Sequence, residues 1–252
     1  MMTILDELII TALDGDVINV CIGMHWTAVV VESNDGRKCG LASTAFMGHS
    51  HTSEPDVPDA GNLEQRSGSE LANLSRSSNP VLASVGVAAL NALLPIPTHD
   101  WEEANAENVL TRHGDGKRVA MIGRFPFVER LRSNVGELVI LEKDPGPDDL
   151  PAQAANEVIP NADVVAITSM TVINHTLDEL INLCKPEAFV MLIGPSTPLS
   201  PLLFEHGIDV LSGAIVEAVD PVLRVVMQGG NFRQVHHAGV LLVNINNPSI
   251  AD

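Results

Sequence analysis

From residue 118 onward the chain alternates between short apolar runs and helix-patterned segments. The runs cover 118–123, 138–142, 164–168, 188–194 and 210–214, with helical patterns around 127–133, 151–158, 174–184, 201–206 and 220–227. A strand with one face in water alternates apolar and polar residues, whereas an apolar run must be covered on both faces. Helices between the runs supply that cover, and their crossovers are right-handed. The pattern predicts an α/β, Rossmann-like, doubly wound parallel sheet. In such a sheet all strand C-termini share one edge, where folds of this kind bind ligands.

The first 94 residues follow another rhythm. A helix is predicted over 3–13 from the spacing of Ile4, Leu8, Leu5, Ile9 and Ala12. Strands are expected over 17–23, 26–32 and 39–44, the last two joined by the turn-forming Ser33-Asn34-Asp35-Gly36. Residues 47–68, rich in Gly, Ser, His, Asp and Pro, read as a long loop. Helices follow near 69–77 and over 80–94, the second with Asn79 as N-cap and Pro80 at the first helical position. This is an α+β unit, a small antiparallel sheet backed by helices. A polar stretch with Pro95, Pro97, Gly114 and Gly116 places a domain boundary within 95–116, dividing 1–103 from 104–252, with a short helix expected over 104–113.

Composition narrows the functional classes. The formal charge of −18 repels phosphate backbones and anionic lipids, so nucleic-acid and membrane-surface roles are disfavoured. The longest apolar stretch, 81–94, is too short to span a bilayer. The N-terminus carries Asp6 and Glu7 and lacks the basic region of a secretory signal. Three widely spaced cysteines, Cys21, Cys39 and Cys184, suggest neither a disulfide framework nor a zinc knuckle, and a reducing cytoplasm is expected. With two Trp, six Phe and no Tyr, the core must come from Val, Ile, Leu and Ala.

Candidate site residues cluster at the predicted strand ends. Gly123-Arg124-Phe125-Pro126 follows the first run, where glycine permits a sharp turn beside a helix N-terminus. Glu142 ends the second run, where a dinucleotide-binding domain often places its ribose-binding carboxylate. The full G-x-G-x-x-G fingerprint is absent. Thr168, Ser169, Thr171 and Asn174 end the third run and begin the next helix, as ligand contacts or as caps. Gly194 and Ser196 lie in Gly194-Pro195-Ser196-Thr197-Pro198 after the fourth run, either an anion cradle or a rigid connection, with Ser200 able to cap the helix that Pro201 begins. In the N-terminal part, Trp26, Thr27, Cys39 and Gly40 are candidates for the lid side of the pocket, Trp26 and Cys39 also reading as core. His49-Ser50-His51 with Glu54, Asp56 and Asp59 holds metal-ligand chemistry but no diagnostic spacing, and His236-His237 has the same standing. No G-x-S-x-G, H-E-x-x-H or P-loop occurs, and no pair declares itself as acid and base.

Taken in order, these segments resemble a prokaryotic family described as putative heavy-metal chelation. Gly23, Trp26, Thr27 and Ala28, followed by Cys39-Gly40-Leu41-Ala42-Ser43-Thr44, look like its N-terminal part. Val119-Ala120-Met121-Ile122-Gly123-Arg124-Phe125-Pro126, the Glu142 strand end, Thr168-Ser169-Met170-Thr171 with Asn174 and Thr176, and Gly194-Pro195-Ser196-Thr197-Pro198 resemble its C-terminal part. The resemblance implies an enolase-N-terminal-like α+β domain joined to a Rossmann-like domain, with a site between them. It also implies a divalent or heavy metal ion, or a metal-bearing ligand. The expectation is therefore an interdomain site for a small anionic or metal-chelating ligand, in a chain that could form homo-oligomers. The alternatives are an enzyme using NAD or S-adenosylmethionine, and a non-catalytic metallochaperone or scaffold.

Overall fold

The computed structural model describes residues 2–34, 36–46, 55–95, 101–103 and 105–250. Helix α1 (Ile4–Thr11) starts at a reciprocal cap between Thr3 and Asp6. Strands β1 (Asp16–Ile22), β2 (Trp26–Ser33) and β3 (Gly36–Ser43) form an antiparallel sheet in that order. The β2–β3 register runs from Trp26 opposite Ser43 to Ser33 opposite Gly36, as the hairpin signal predicts. Of the expected turn, Asp35 lies outside the described residues.

Helix α2 (Gly68–Asn73) continues into a 3₁₀ turn, Leu74–Arg76, and α3 (Pro80–Leu93) follows. The Asn79 side chain accepts from the N–H groups of Val81 and Leu82, as an N-cap should. Eleven of the fourteen α3 residues are buried, so α3 lies between layers rather than on the surface. Val29, Val31 and Ala42 on one face of the small sheet join the α3 core. The opposite face, with Trp26, Ala28, Val30, Cys39 and Leu41, belongs to a second cluster.

The second sheet is built from β4 (Trp101–Glu103), β5 (Arg118–Ile122), β6 (Glu137–Glu142), β7 (Leu150–Pro151), β8 (Val164–Thr168), β9 (Phe189–Ile193), β10 (Val210–Val216) and β11 (Val240–Asn246). Its order is β4-β11-β10-β9-β8-β5-β6-β7. The six strands from β7 to β10 are parallel, whereas β11 and β4 pair antiparallel. The purely parallel sheet expected from the sequence is therefore corrected at one edge. Residues 240–246 are as apolar as the other runs, and β4 is a polar segment made into a strand by pairing with Val243, Asn244 and Ile245. The boundary segment 95–116 thus contains a strand and α4 (Ala106–Gly114).

The remaining helices are α5 (Val128–Arg132), α6 (Ala155–Val158), α7 (Met170–Ile173), α8 (Leu177–Asn182), α9 (Val219–Met227) and α10 (Phe232–His237). The 201–206 segment is a 3₁₀ helix, and Ser200 stands at its cap position without a side-chain cap bond. Val222, Leu223 and Val226 of α9 and Val235 of α10 cover the outer face of the small sheet. The main core runs continuously from Leu8 and Leu90 to Val165 and Leu211. Among the described residues no helix is long and apolar enough to cross a membrane.

Candidate functional site

From β5 the chain passes outward to β6 and β7, then returns to β8 and continues to β9 and β10. The strand order therefore reverses between β5 and β8, and a crevice forms where connections leave in opposite directions. A cavity of about 540 Å³ opens there, within the range of about 300–1,000 Å³ typical of small-molecule sites. Gly123, Glu142, Thr168, Thr171 and Asn174, all singled out from the sequence, line it.

Gly123 has φ +91°, and a Cβ there would meet Thr168 at 3.0 Å, so glycine is needed for conformation and space. Its N–H donates to the carbonyl of Leu141. Glu142 closes the adjacent strand. Its Oε1 accepts the Arg124 N–H at 2.7 Å and its Oε2 accepts the Lys143 N–H at 3.1 Å. An ionised carboxylate has about four acceptor positions, so both oxygens keep capacity for a ligand. Thr171 Oγ1 donates to the Thr168 carbonyl at 2.7 Å, and Asn174 Oδ1 accepts from Thr176 Oγ1 at 2.6 Å. Neither Thr171 nor Asn174 caps α8, whose cap residue is Thr176.

The cavity also takes in residues not singled out beforehand as ligand contacts. Arg124 lies two residues past the end of β5 and Lys143 directly follows β6, a signal available in the sequence. The Arg124 guanidinium ties Glu129 at 2.7 Å to Asp149 at 2.8 Å. Gln153 and Asn156 lie where a 3₁₀ turn, Ala152–Ala154, passes into the four-residue α6. That short, mixed geometry lacks the period that would have shown which side faces the sheet.

Other candidates sit elsewhere. Ser169 is buried and does not line the cavity, and a Cβ on Gly194 (φ +132°) would meet its Oγ at 2.5 Å. Ser196 Oγ accepts the Ser43 N–H at 2.8 Å, bonding the loop after β9 to the end of β3. Trp26 packs at 5.3 Å against Phe232, and Thr27 Oγ1 lies 3.0 Å from Thr44 Oγ1. Gly40 presses on α3, where a Cβ would come within 2.0 Å of the Ala88 carbonyl oxygen. The structure does not bring Trp26, Thr27, Cys39 or Gly40 to this cavity, because α9, α10 and α3 cover the two faces of the small sheet. A smaller cavity of about 240 Å³ lies at the seam of α1 with α7 and α8, sharing Thr171.

Metal-binding side chains are spread out. Burial pushes the Cys39 thiol up to about 12, the nearby Arg37 only partly opposing it. Burial, with a smaller contribution from Asp209, raises Cys184 to about 11, and burial also raises Cys21. A thiol held this high is not a thiolate at neutral pH. Among the described residues no group of three or more His, Cys, Asp or Glu side chains is placed to hold a metal ion. His49, His51 and Glu54 lie outside the described residues, and Asp59 pairs with Arg66. On α10, His237 Nδ1 is 2.6 Å from the Arg233 carbonyl, while the His236 ring stacks beside Phe232.

Two family models match the chain, over residues 5–94 and 105–243, and both carry the description "Putative heavy-metal chelation". An uncharacterized protein of Methanocaldococcus jannaschii is 30% identical over 221 residues, covering 83% of this chain and 82% of that one. A DUF364-family crystal structure of unknown function from Desulfitobacterium hafniense superposes with a TM-score of 0.79 at 28% identity, covering 95% and 96% of the two chains. Another from Pyrococcus horikoshii, also of unknown function, has a TM-score of 0.80 at 20% identity, covering 96% and 97%. This chain belongs to the family described as "Putative heavy-metal chelation".

Proposed function

We propose that the chain binds a small metal-chelating organic molecule in the crevice between β5 and β8, and that the metal arrives on that molecule. The observation that carries this reading is the cavity itself, which gathers Gly123, Glu142, Thr168, Thr171 and Asn174 at the strand-order reversal. Its polar groups are hydroxyls, amides and charges of both signs, including Glu142, Glu179 and Lys143. These suit a polar ligand that brings its own metal-binding atoms. In this reading residues 104–252, with α4 to α10 and every strand of the mostly parallel sheet except β4, are the Rossmann-like unit. The small sheet with α1 to α3, residues 1–103, is the enolase-N-terminal-like unit that supports it.

The test is a thermal-shift titration with the citrate complexes of nickel, cobalt and iron, on the unaltered chain and on Ala155→Trp. Ala155 is half-buried on the cavity wall, and an indole there fills the space a ligand needs. At least one complex should raise the melting temperature of the unaltered chain and leave the variant unmoved. Equal stabilisation of both would place the ligand elsewhere.

A further inference from the structure

We propose that Glu142 selects a ribosyl group, so that the molecule held in this crevice carries a nucleoside whose 2′ and 3′ hydroxyls donate to Glu142. The inference rests on the crevice reading above and names the chemistry of what enters it.

Two neighbouring hydroxyls need two acceptors a short distance apart on a group that can face both. A carboxylate at the end of the second strand from the reversal meets that need in parallel sheets that bind nucleotides. Glu142 holds that position on β6, next to β5, and lines the cavity. Its orientation is set before any ligand arrives, because one oxygen accepts the Arg124 N–H and the other the Lys143 N–H. Each oxygen keeps a second lone pair. The lining of the same cavity includes apolar Leu141, Ala152 and Ala155 and the amides of Gln153 and Asn156. Such a wall can cover the face of a base while the two amides, each both donor and acceptor, reach its edge.

The same geometry argues against a diphosphate in the turn after β5. There the phosphates would need free N–H groups at a helix N-terminus. The Arg124 N–H is already taken by Glu142 at 2.7 Å, and Pro126 has no N–H. Helix α5 starts only at Val128 and is five residues long. A phosphate at the Arg124 N–H would lie against the Glu142 carboxylate and be repelled by it.

The experiment is calorimetric titration of the full chain with adenosine, guanosine, cytidine and uridine, their 2′-deoxy forms, and their 5′-diphosphates. At least one ribonucleoside should bind, its 2′-deoxy form about tenfold or more weaker, as loss of a hydrogen bond to a charged group requires. Glu142→Gln should weaken the ribonucleoside at least as much, and should weaken the 2′-deoxy form less, because that form keeps only its 3′ hydroxyl on this carboxylate. The deoxy series on the unaltered chain keeps the test valid should the variant fold poorly. Equal binding of ribo and deoxy forms, or tighter binding of the diphosphate than of its nucleoside, would overturn the assignment. If no nucleoside binds while a metal citrate binds and is lost in Ala155→Trp, the ribosyl assignment falls and the crevice reading stands. A nucleoside that binds Ala155→Trp as tightly as the unaltered chain overturns both.

Discussion

Gly40 is a ligand candidate by motif, yet the structure makes it a packing residue, and Gly40→Ala separates the two roles. A methyl group at this position would lie 2.0 Å from the Ala88 carbonyl oxygen and 2.4 Å from the Ala92 nitrogen. Both are backbone atoms of α3, so no side chain can swing aside. Relief requires β3 and α3 to part by roughly 1 Å, and a gap of that size forfeits up to about half the dispersion energy of each contact across it. Because α3 is buried on nearly all sides, retreat from β3 pushes it into its other neighbours. Overpacking of this kind costs about 1–3 kcal/mol, and a backbone clash belongs at the upper end. At 2–4 °C per kcal/mol for a chain of this size, the melting temperature should fall by about 6–12 °C. Gly36→Ala is the comparison: Gly36 has φ +93° with nothing within 4 Å, so only the left-handed backbone penalises it. That penalty is about 1–2 kcal/mol, a smaller shift. Circular dichroism melts of the three proteins decide the matter. A Gly40→Ala chain melting within about 2 °C of the unaltered one would refute the packing argument.

Three further outcomes follow from the same geometry. With Cys39 held up near 12 and Cys184 near 11 by burial, a thiol-specific disulfide reagent at pH 8 should label neither quickly in the native chain, and all three cysteines after denaturation; rapid native labelling of Cys39 would contradict its burial. The Thr3 backbone N–H and Arg76 hold the Asp6 carboxyl down at about 2, so its contribution is present above the ordinary value of 3.8 and is lost as pH falls from there towards 2. Melts across that window should decline less steeply in Asp6→Asn than in the unaltered chain. Gly194→Ala adds left-handed strain at φ +132° to a contact of 2.5 Å with Ser169 Oγ, so it should cost about 2 kcal/mol or more in chemical denaturation, and a change below about 0.5 kcal/mol would contradict the contact.

Much of the fold was legible because burial leaves a period in the sequence. The apolar runs that became β5, β6, β8, β9 and β10 are covered on both faces, and Asn79-Pro80 announced the start of α3 through its backbone requirements. What escaped was structure made by partners. Trp101–Glu103 is a strand because β11 is beside it, and α7 is a four-residue turn with too little length for any period. The site was half legible for the same reason. Strand ends marked Gly123, Glu142 and Thr168, since topology alone brings them to one edge. Nothing local shows that α9 and α10, from the end of the chain, cover the sheet carrying Trp26 and Cys39 and so take those residues away from the cavity.

The central claim is that metal reaches this protein on an organic carrier held in the β5–β8 crevice. Equilibrium dialysis against nickel citrate and against nickel ion alone, with metal counted per chain, tests it most directly. The measurement is made on the unaltered chain, on Ala155→Trp, and on His49→Ala with His51→Ala. The account predicts about one nickel per chain from the citrate complex, lost in Ala155→Trp and kept in the double histidine variant. It also predicts weaker uptake of the bare ion. Stoichiometric binding of bare nickel that survives Ala155→Trp and disappears with His49 and His51 would contradict it.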